Sequence, residues 1–346
     1  MHDFARNHLV AKAKAGKTTD RWLEQTEVYL QRAVDHFGGG RDLASIGVED
    51  VRNWSEQLAT TASYKGGTLS GGTVRHHLNM LSNLYRRAAG EGYVPPGYNP
   101  IMAMMEKPTA RKQEACWLEV HHAALLLEAA RTVALTRPDL AIPFLYPLLA
   151  TFLLTGARRA EVLGLEVGDV SFDRRTVTFR VHDHRRLKTE GSGRVVPLWP
   201  ELEEILRPYV FSLDHPPTRL LFPARHTQER MVGNFDKVLD QLAVRAGWTA
   251  GEIRTKMFRH TYCAARLQTL DQGAPVSPYT VGRELGHGGD ALVRRVYGHL
   301  GQIRHRSEVV EYRVEQHADV LKDRLAALTF DTILDTSARP EIPGSA

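Results

Sequence analysis

Thr155-Gly156-Ala157-Arg158-Arg159-Ala160-Glu161, running on into Val162-Leu163-Gly164-Leu165, is the segment from which the rest of this chain can be read. It closes an apolar stretch, Leu140 to Leu154, with a threonine and a glycine, and it opens a helix at Arg158. A guanidinium at such a turn presents a planar fork that matches two phosphate oxygens, which a lysine ammonium cannot do. The alternative for an Arg-Arg-x-Glu sequence is local pairing of the arginines with acids such as Glu161 or Glu284.

Four short clusters lie downstream. They are Lys188-Thr189 leading to Arg194-Val195-Val196-Pro197-Leu198, then Lys256-Met257-Phe258-Arg259-His260-Thr261, Leu285-Gly286-His287, and Tyr297-Gly298-His299. With Arg158 they supply what a transferring phosphate needs: fixed cations, a proton donor and a nucleophile. Arg259 can grip the phosphate that Arg158 binds. Lys188 reads as the first residue of a tight glycine-containing turn, where it either stays solvated or protonates a departing 5′ oxygen. His287 sits at a helix end, with phosphate and backbone equally feasible as partners. Tyr297 is either a core tyrosine with a bonded hydroxyl or a nucleophile that attacks phosphorus and keeps the diester energy in a phosphotyrosine. Chemistry of that kind needs neither ATP nor metal, and the sequence has no Walker loop and no acidic metal-binding cluster. No cofactor and no metal are expected.

At 346 residues and 42% hydrophobic content, the chain is long enough for about two domains. Its 45 basic against 40 acidic residues tilt only slightly toward an anionic partner. Two cysteines, Cys116 and Cys263, are too few for a disulfide framework or a cysteine-rich zinc site. The first thirty residues lack the apolar core of a signal peptide, and Pro143 and Pro147 break the longest apolar stretch. The expectation is a soluble cytoplasmic protein associated with the nucleoid, without a membrane partner.

The fold class expected is mainly α with a small antiparallel β-sheet. Residues 1–17 read as a flexible basic N-terminus. A helical region spans 18–105: a first helix from Thr19 to Phe37, a second from Val48 to Leu58, and a third capped by Ser70 or Thr73 with Val74, Leu78, Leu81, Leu84 and Tyr85 on its buried face. Residues 106–116 have the punctuation of a linker. An α+β domain follows at 117–330. In it Thr176 to Val181 alternates as a strand, and Arg194 to Leu198 is expected to pair with a strand ending near Lys188 across Glu190-Gly191-Ser192-Gly193. From Ser307 to Leu328, apolar residues spaced by three or four predict a long amphipathic helix that packs on its own domain or on a neighbour's. Residues 331–346 read as a disordered tail.

On these five clusters the chain resembles the tyrosine recombinases, also called phage integrases, a family that includes the Xer-type resolvases. The family's first box, Thr-Gly-x-Arg-x-x-Glu-hydrophobic-x-x-Leu, matches Thr155 to Leu165; the lysine box matches Lys188 to Leu198; Leu-Gly-His and Tyr-x-His match at 285–287 and 297–299. The box His-x-x-Arg-His-Thr matches Lys256 to Thr261 with lysine in place of the usual histidine, and Val293-Arg294 replaces a Thr-Thr often found before the tyrosine. The resemblance implies that Arg158, Lys188, Lys256, Arg259, His287 and Tyr297 are catalytic, with Glu161 and His299 in support and Arg194, Arg75 and His260 as DNA contacts. It implies a SAM-like helical core-binding domain at 18–105 and an α+β catalytic domain with a C-terminal helix at 117–330, closing as a clamp on DNA. The expected activity is site-specific recombination through a 3′-phosphotyrosyl intermediate, serving integration, excision or resolution. The expected partners are double-stranded core sites, a homotetramer on two such sites and an accessory directionality factor, with no separate arm-binding domain before Thr18. Two rivals stand beside it: a topoisomerase IB-like relaxer, and a DNA-binding accessory or regulatory protein of a mobile element that has lost catalysis.

Overall fold

The computed structural model describes residues 1–297, apart from 17, 65, 110–114, 137–143, 184, 186, 188–191, 213–216, 225–226, 234 and 272, together with residues 314–326. The chain divides into two compact units, Met1–Glu114 and Ala115–Ala346. Mainly helical structure with small antiparallel sheets is observed, as the sequence predicts.

The first unit is helical. Residues 1–17, expected to be flexible, instead begin with helix α1 (His2–Lys14). Its basic residues Lys12 and Lys14 fall in the last turn and Asp3 in the first, so the charges that suggest disorder complement the helix dipole. Ala5 and His8 are buried, the Phe4 ring lies 4.8 Å from Tyr93, and Arg87 donates to the Asn7 carbonyl at 3.0 Å. The helix predicted first is therefore α2 (Asp20–Phe37), whose cap Thr19 accepts from the Trp22 N–H. Helix α3 (Val48–Thr60) buries Val51, Trp54 and Leu58. Ser70 caps α4 (Gly71–Gly90), and the predicted face of Val74, Leu78, Leu81, Leu84 and Tyr85 is buried. The short α5 (Pro100–Ala103) follows Asn99, which caps it.

The second unit is built around α7 (Leu145–Thr155), in which every residue except Tyr146 is buried. A helix apolar on all sides belongs in a core. Its two threonines fit there because each hydroxyl donates four residues back, Thr151 to Pro147 at 2.8 Å and Thr155 to Thr151 at 2.6 Å. Helix α6 (Val120–Thr136) packs against it, as do α9 (Pro200–Val210) and α11 (Thr255–Leu267). Between α7 and α9 come the five-residue α8 (Arg159–Leu163) and a three-stranded antiparallel sheet of β1 (Val170–Ser171), β2 (Thr176–Phe179) and β3 (Arg194–Pro197). The remainder comprises the pair β4 (Pro223–Ala224) and β5 (Thr227–Met231), α10 (Phe235–Arg245), the pair β6 (Leu270–Asp271) and β7 (Ala274–Pro275), α12 (Pro278–Glu284), α13 (Ala291–Tyr297) and α14 (Ala318–Ala326).

Two further expectations are corrected. Strand β3 pairs with β2, Phe179 opposite Arg194 and Thr176 opposite Pro197, so its partner ends at Phe179 rather than near Lys188. Charge accounts for the difference. Arg185 is buried and donates to the Arg180 carbonyl at 2.8 Å, the Glu161 carbonyl at 3.0 Å and the Asp169 carboxylate at 3.2 Å, while Arg180 bonds the same carboxylate at 2.7 Å. These bonds draw the chain away from a regular ladder after Phe179. Breaking the buried Arg185–Asp169 pair by removing one partner costs about 3–5 kcal/mol.

At the C-terminus, residues 314–317 form a 3-10 turn that leads into α14, rather than continuing one long helix. Leu321 of α14 is buried in the core of its own unit, with Leu325 packed against it. The rest of the predicted helix, the tail 331–346 and the centre of the predicted linker 106–116 lie outside the described residues. Among the described residues no helix is long and apolar enough to cross a membrane.

Candidate active site

Gly156 ends α7 in the left-handed region at φ 58°, and it is needed there twice over. It has the backbone freedom for that turn, and a Cβ at this position would lie 2.6 Å from the Tyr262 ring and 2.9 Å from Leu285. The turn delivers Arg158 to the N-cap of α8. The Glu161 carboxylate, one turn on, accepts from the Arg158 N–H at 2.9 Å and from its guanidinium at 2.7 Å.

Glu161 is shared. Its second oxygen also accepts from Arg194 at 2.8 Å. Arg194 stacks its guanidinium 4.3 Å from the ring centroid of Phe179, its cross-strand neighbour, and donates to the Glu284 carbonyl at 2.6 Å. Burial would raise the Glu161 carboxyl, but Arg194 and Arg158 together outweigh it and hold the group below the usual range.

Arg259, on α11, completes the cluster. It donates to the Gly156 carbonyl at 3.0 Å, to the Leu285 carbonyl at 2.6 Å and to His287 Nε2 at 2.7 Å. Arg158 reaches the Gly286 carbonyl at 3.3 Å. Gly286 has φ 69°, and a Cβ there would meet the Arg194 guanidinium at 2.9 Å. Burial, then the neighbouring Arg158 and Arg194, pull Arg259 down to about 10, and the same causes with Arg259 added pull His287 down to about 4. His287 is neutral at neutral pH. Because Nε2 accepts from Arg259, its proton is assigned to Nδ1, a buried atom with no hydrogen-bond partner among the described residues.

The pairing of Arg158 with Glu161 that the sequence left open is thus present, and it does not neutralise the cluster. One carboxylate serves two guanidiniums, and Arg259 bonds to no carboxylate among the described residues. Excess positive charge, aimed by main-chain carbonyls, suits a phosphate.

The next residue on α11, His260, turns to a different partner. Its Nδ1 is hydrogen-bonded to the hydroxyl of Tyr297, the last residue of α13. Tyr297 is buried, its ring 6.1 Å from Trp117 and 5.8 Å from His260, and burial followed by the nearby Cys263 thiol pushes its hydroxyl up while Arg259 acts downward. Cys263 is itself pushed up to about 12 by burial. From sequence His260 is expected among DNA contacts and Cys263 has no part; the only signal for the histidine is its position directly after Arg259.

Beneath the cluster, buried Glu284 accepts from Tyr262 at 2.8 Å and from Arg266 at 2.8 and 3.0 Å, which fastens α11 to α12. Lys256 is exposed in the first turn of α11. Arg75 belongs to the first unit, on α4, with its Nε buried and unpartnered among the described residues. Lys188 and His299 lie outside the described residues. Among those described, no group of three or more His, Cys, Asp or Glu could hold a metal ion.

Comparison with known proteins gives a consistent result. A profile of the phage integrase family matches residues 116–302. The tyrosine recombinase XerD of Brucella suis is 28% identical over 250 residues, covering 68% of this chain and 74% of that protein. XerD of Brucella melitensis is 31% identical over 176 residues, 49% of this chain and 52% of its own length. Among solved structures, the Tn1549 transposon integrase in complex with a circular intermediate DNA superposes with a TM-score of 0.64 at 16% identity, covering 84% of this chain and 93% of that one. A lambda integrase dimer bound to a COC′ core site gives 0.62 at 13% identity, with 86% and 94% covered, and a lambda integrase tetramer bound to a Holliday junction gives 0.60 at 12%, with 84% and 78% covered. At these identities the structural likeness speaks for the fold.

Proposed function

The chain belongs to the phage integrase family, and from that premise we propose that Tyr297 is the nucleophile of a site-specific DNA recombination reaction whose scissile phosphate lies on Arg158, Arg259 and His287. The enzyme is a tyrosine recombinase. In the proposed step Tyr297 Oη forms a bond to phosphorus and the bond from phosphorus to the 5′ oxygen breaks, leaving a 3′-phosphotyrosyl link that an incoming 5′ hydroxyl later reverses. Arg158 and Arg259 hold the nonbridging oxygens, and their charge stabilises the negative charge that grows as phosphorus becomes five-coordinate. The Nδ1–H of His287, without a partner among the described residues, donates to one of those oxygens. Lys188 is the proposed acid on the 5′ oxygen, and exposed Lys256 assists oxygen binding. Glu161 and Arg194 position Arg158 without touching the phosphate.

One observation carries this reading: Arg158 and Arg194 share the single carboxylate of Glu161, Arg259 bonds to none among the described residues, and main-chain carbonyls of residues 156, 285 and 286 aim Arg259 and Arg158 at one place. Double-stranded DNA is the proposed partner, held chiefly through its phosphates. The helical first unit is proposed to bind the core site, with Arg75 among its phosphate contacts, and the enzyme to work as a tetramer on two sites. Covalent trapping tests the chemistry. Wild-type protein and Tyr297→Phe are incubated, without metal or ATP, with nicked duplexes tiled across the DNA flanking the gene, then run on denaturing gels. An adduct with wild type alone supports the assignment; an adduct that survives the substitution moves the nucleophile elsewhere.

A further inference from the structure

We propose that His260 is the base that takes the proton from Tyr297 as its oxygen attacks phosphorus, a role that rests on Tyr297 being the nucleophile. The observation is the hydrogen bond between Tyr297 Oη and His260 Nδ1, made across 37 residues of sequence by a ring on α11 facing a ring on α13. The hydroxyl that must lose a proton is thus already paired with a nitrogen able to receive it.

The groups around that bond leave little competition. His260 faces Lys256 and Arg259 on its own helix and Tyr297 on α13, and Tyr297 faces Cys263 and Arg259. An ammonium and a guanidinium have donors and no acceptor, so neither Lys256 nor Arg259 takes a proton in its charged form. The thiol of Cys263 is a weak acceptor, and burial keeps it protonated. His260 is different. Burial, followed by Lys256 and Arg259, brings it down to about 4, so that it stands neutral at working pH with a lone pair available. For Nδ1 to accept, the ring hydrogen sits on Nε2. Lys256 stands one helical turn before His260, at the position where the family box usually has histidine, so in this chain the neutral imidazole of that helical segment is the one beside the tyrosine.

The balance of the step is closed. The bond from Oη to phosphorus forms, the bond from phosphorus to the 5′ oxygen breaks, the Oη proton passes to His260 Nδ1, and the departing oxygen takes a proton from the acid assigned to Lys188. The imidazolium formed then lies close to a phosphorus centre at its most negative, and on religation both protons return.

The test is the pH dependence of single-turnover adduct formation on the nicked duplex that wild type cleaves. The variants are His260→Asn, whose amide oxygen accepts a hydrogen bond but no proton, and His260→Ala with and without added imidazole. Wild type is expected to be flat from pH 6 to 9. His260→Asn is expected to be slower at pH 7 by about 10²–10⁴-fold, with a rate rising tenfold per pH unit because the tyrosine must ionise in solution. Imidazole is expected to restore rate to His260→Ala in proportion to its neutral form. A wild-type rate that itself climbs tenfold per pH unit, or a His260→Asn protein with wild-type rate and profile, overturns the proposal whether or not the alanine variant folds. A uniform loss with a flat profile and no imidazole rescue leaves His260 a positioning residue and overturns it equally. Absence of an adduct with wild type, or an adduct with Tyr297→Phe, instead removes the nucleophile assignment beneath it.

Discussion

Replacing Gly156 with alanine adds one carbon to the tightest point of the candidate site. Its left-handed φ of 58° costs a non-glycine residue about 1–2 kcal/mol. The new Cβ also meets the Tyr262 ring at 2.6 Å and Leu285 at 2.9 Å. Tyr262 cannot yield, because it is fully buried and its hydroxyl is fixed at 2.8 Å on Glu284, which is fixed in turn on Arg266. Overpacking of that kind adds about 1–3 kcal/mol. The expected loss is therefore about 2–5 kcal/mol, measured by urea unfolding of the full chain. The control is Gly247→Ala, which has φ 90° and nothing within 4 Å of the added carbon, and so carries only the backbone part. Activity is expected to fall further than stability at conditions where the variant remains folded, because any movement of residue 156 shifts the carbonyl that aims Arg259. Equal losses for the two alanines would refute the packing argument, and a stable, fully active Gly156→Ala would refute the role of the carbonyl.

Three further outcomes are expected. Glu161→Gln removes the one charge shared by Arg158 and Arg194 and should cost about 3–5 kcal/mol in urea unfolding; inorganic phosphate should return more stability to the variant than to wild type, up to about 2.7 kcal/mol at a hundredfold excess over its dissociation constant. His260 and His287 are held near 4 against an ordinary 6.5, so the unfolded chain binds protons first; stability is fully present above about pH 6.5 and is lost as pH falls toward 4, which thermal unfolding from pH 7 to 4 should show, with a shallower fall in His260→Asn. Lys188→Ala should slow cleavage of an ordinary duplex by about 10²–10⁴-fold and should be close to wild type on a duplex carrying sulfur at the 5′ bridging position, since a thiol, with a pKa of about 8.5, leaves without a donated proton; a defect that persists on sulfur would exclude Lys188 as the acid.

Much of this was legible in the sequence, and the boundary has physical causes. The caps at Thr19 and Ser70 and the buried face of α4 follow from local rules of spacing and hydrogen bonding, which act within a few residues. The convergence of Arg158, Arg259 and His287 could be read because each sits in a short motif of its own type. Helix α1 does not stand out in the sequence because its fully buried residues are only Ala5 and His8, too few to show above a basic composition. The pairing of β3 is not legible because bonds from Arg180 and Arg185 to Asp169, over 11 and 16 residues, outweigh the ladder, and a hydropathy pattern does not register such bonds. For His260 the sequence suggests only a DNA contact, because nothing near it points toward a tyrosine 37 residues away.

The carbonyls that aim the arginines come from the end of α7 and from the loop after α12, segments far apart in the chain. They meet the arginines only once α11 and α12 have docked on the core, although the tyrosine is present from the moment of synthesis. On the proposed assignment, an incompletely folded copy carries the nucleophile with no means of gripping a phosphate, and it is expected to leave DNA uncut. The tertiary fold would then serve as a safety interlock on the proposed reaction.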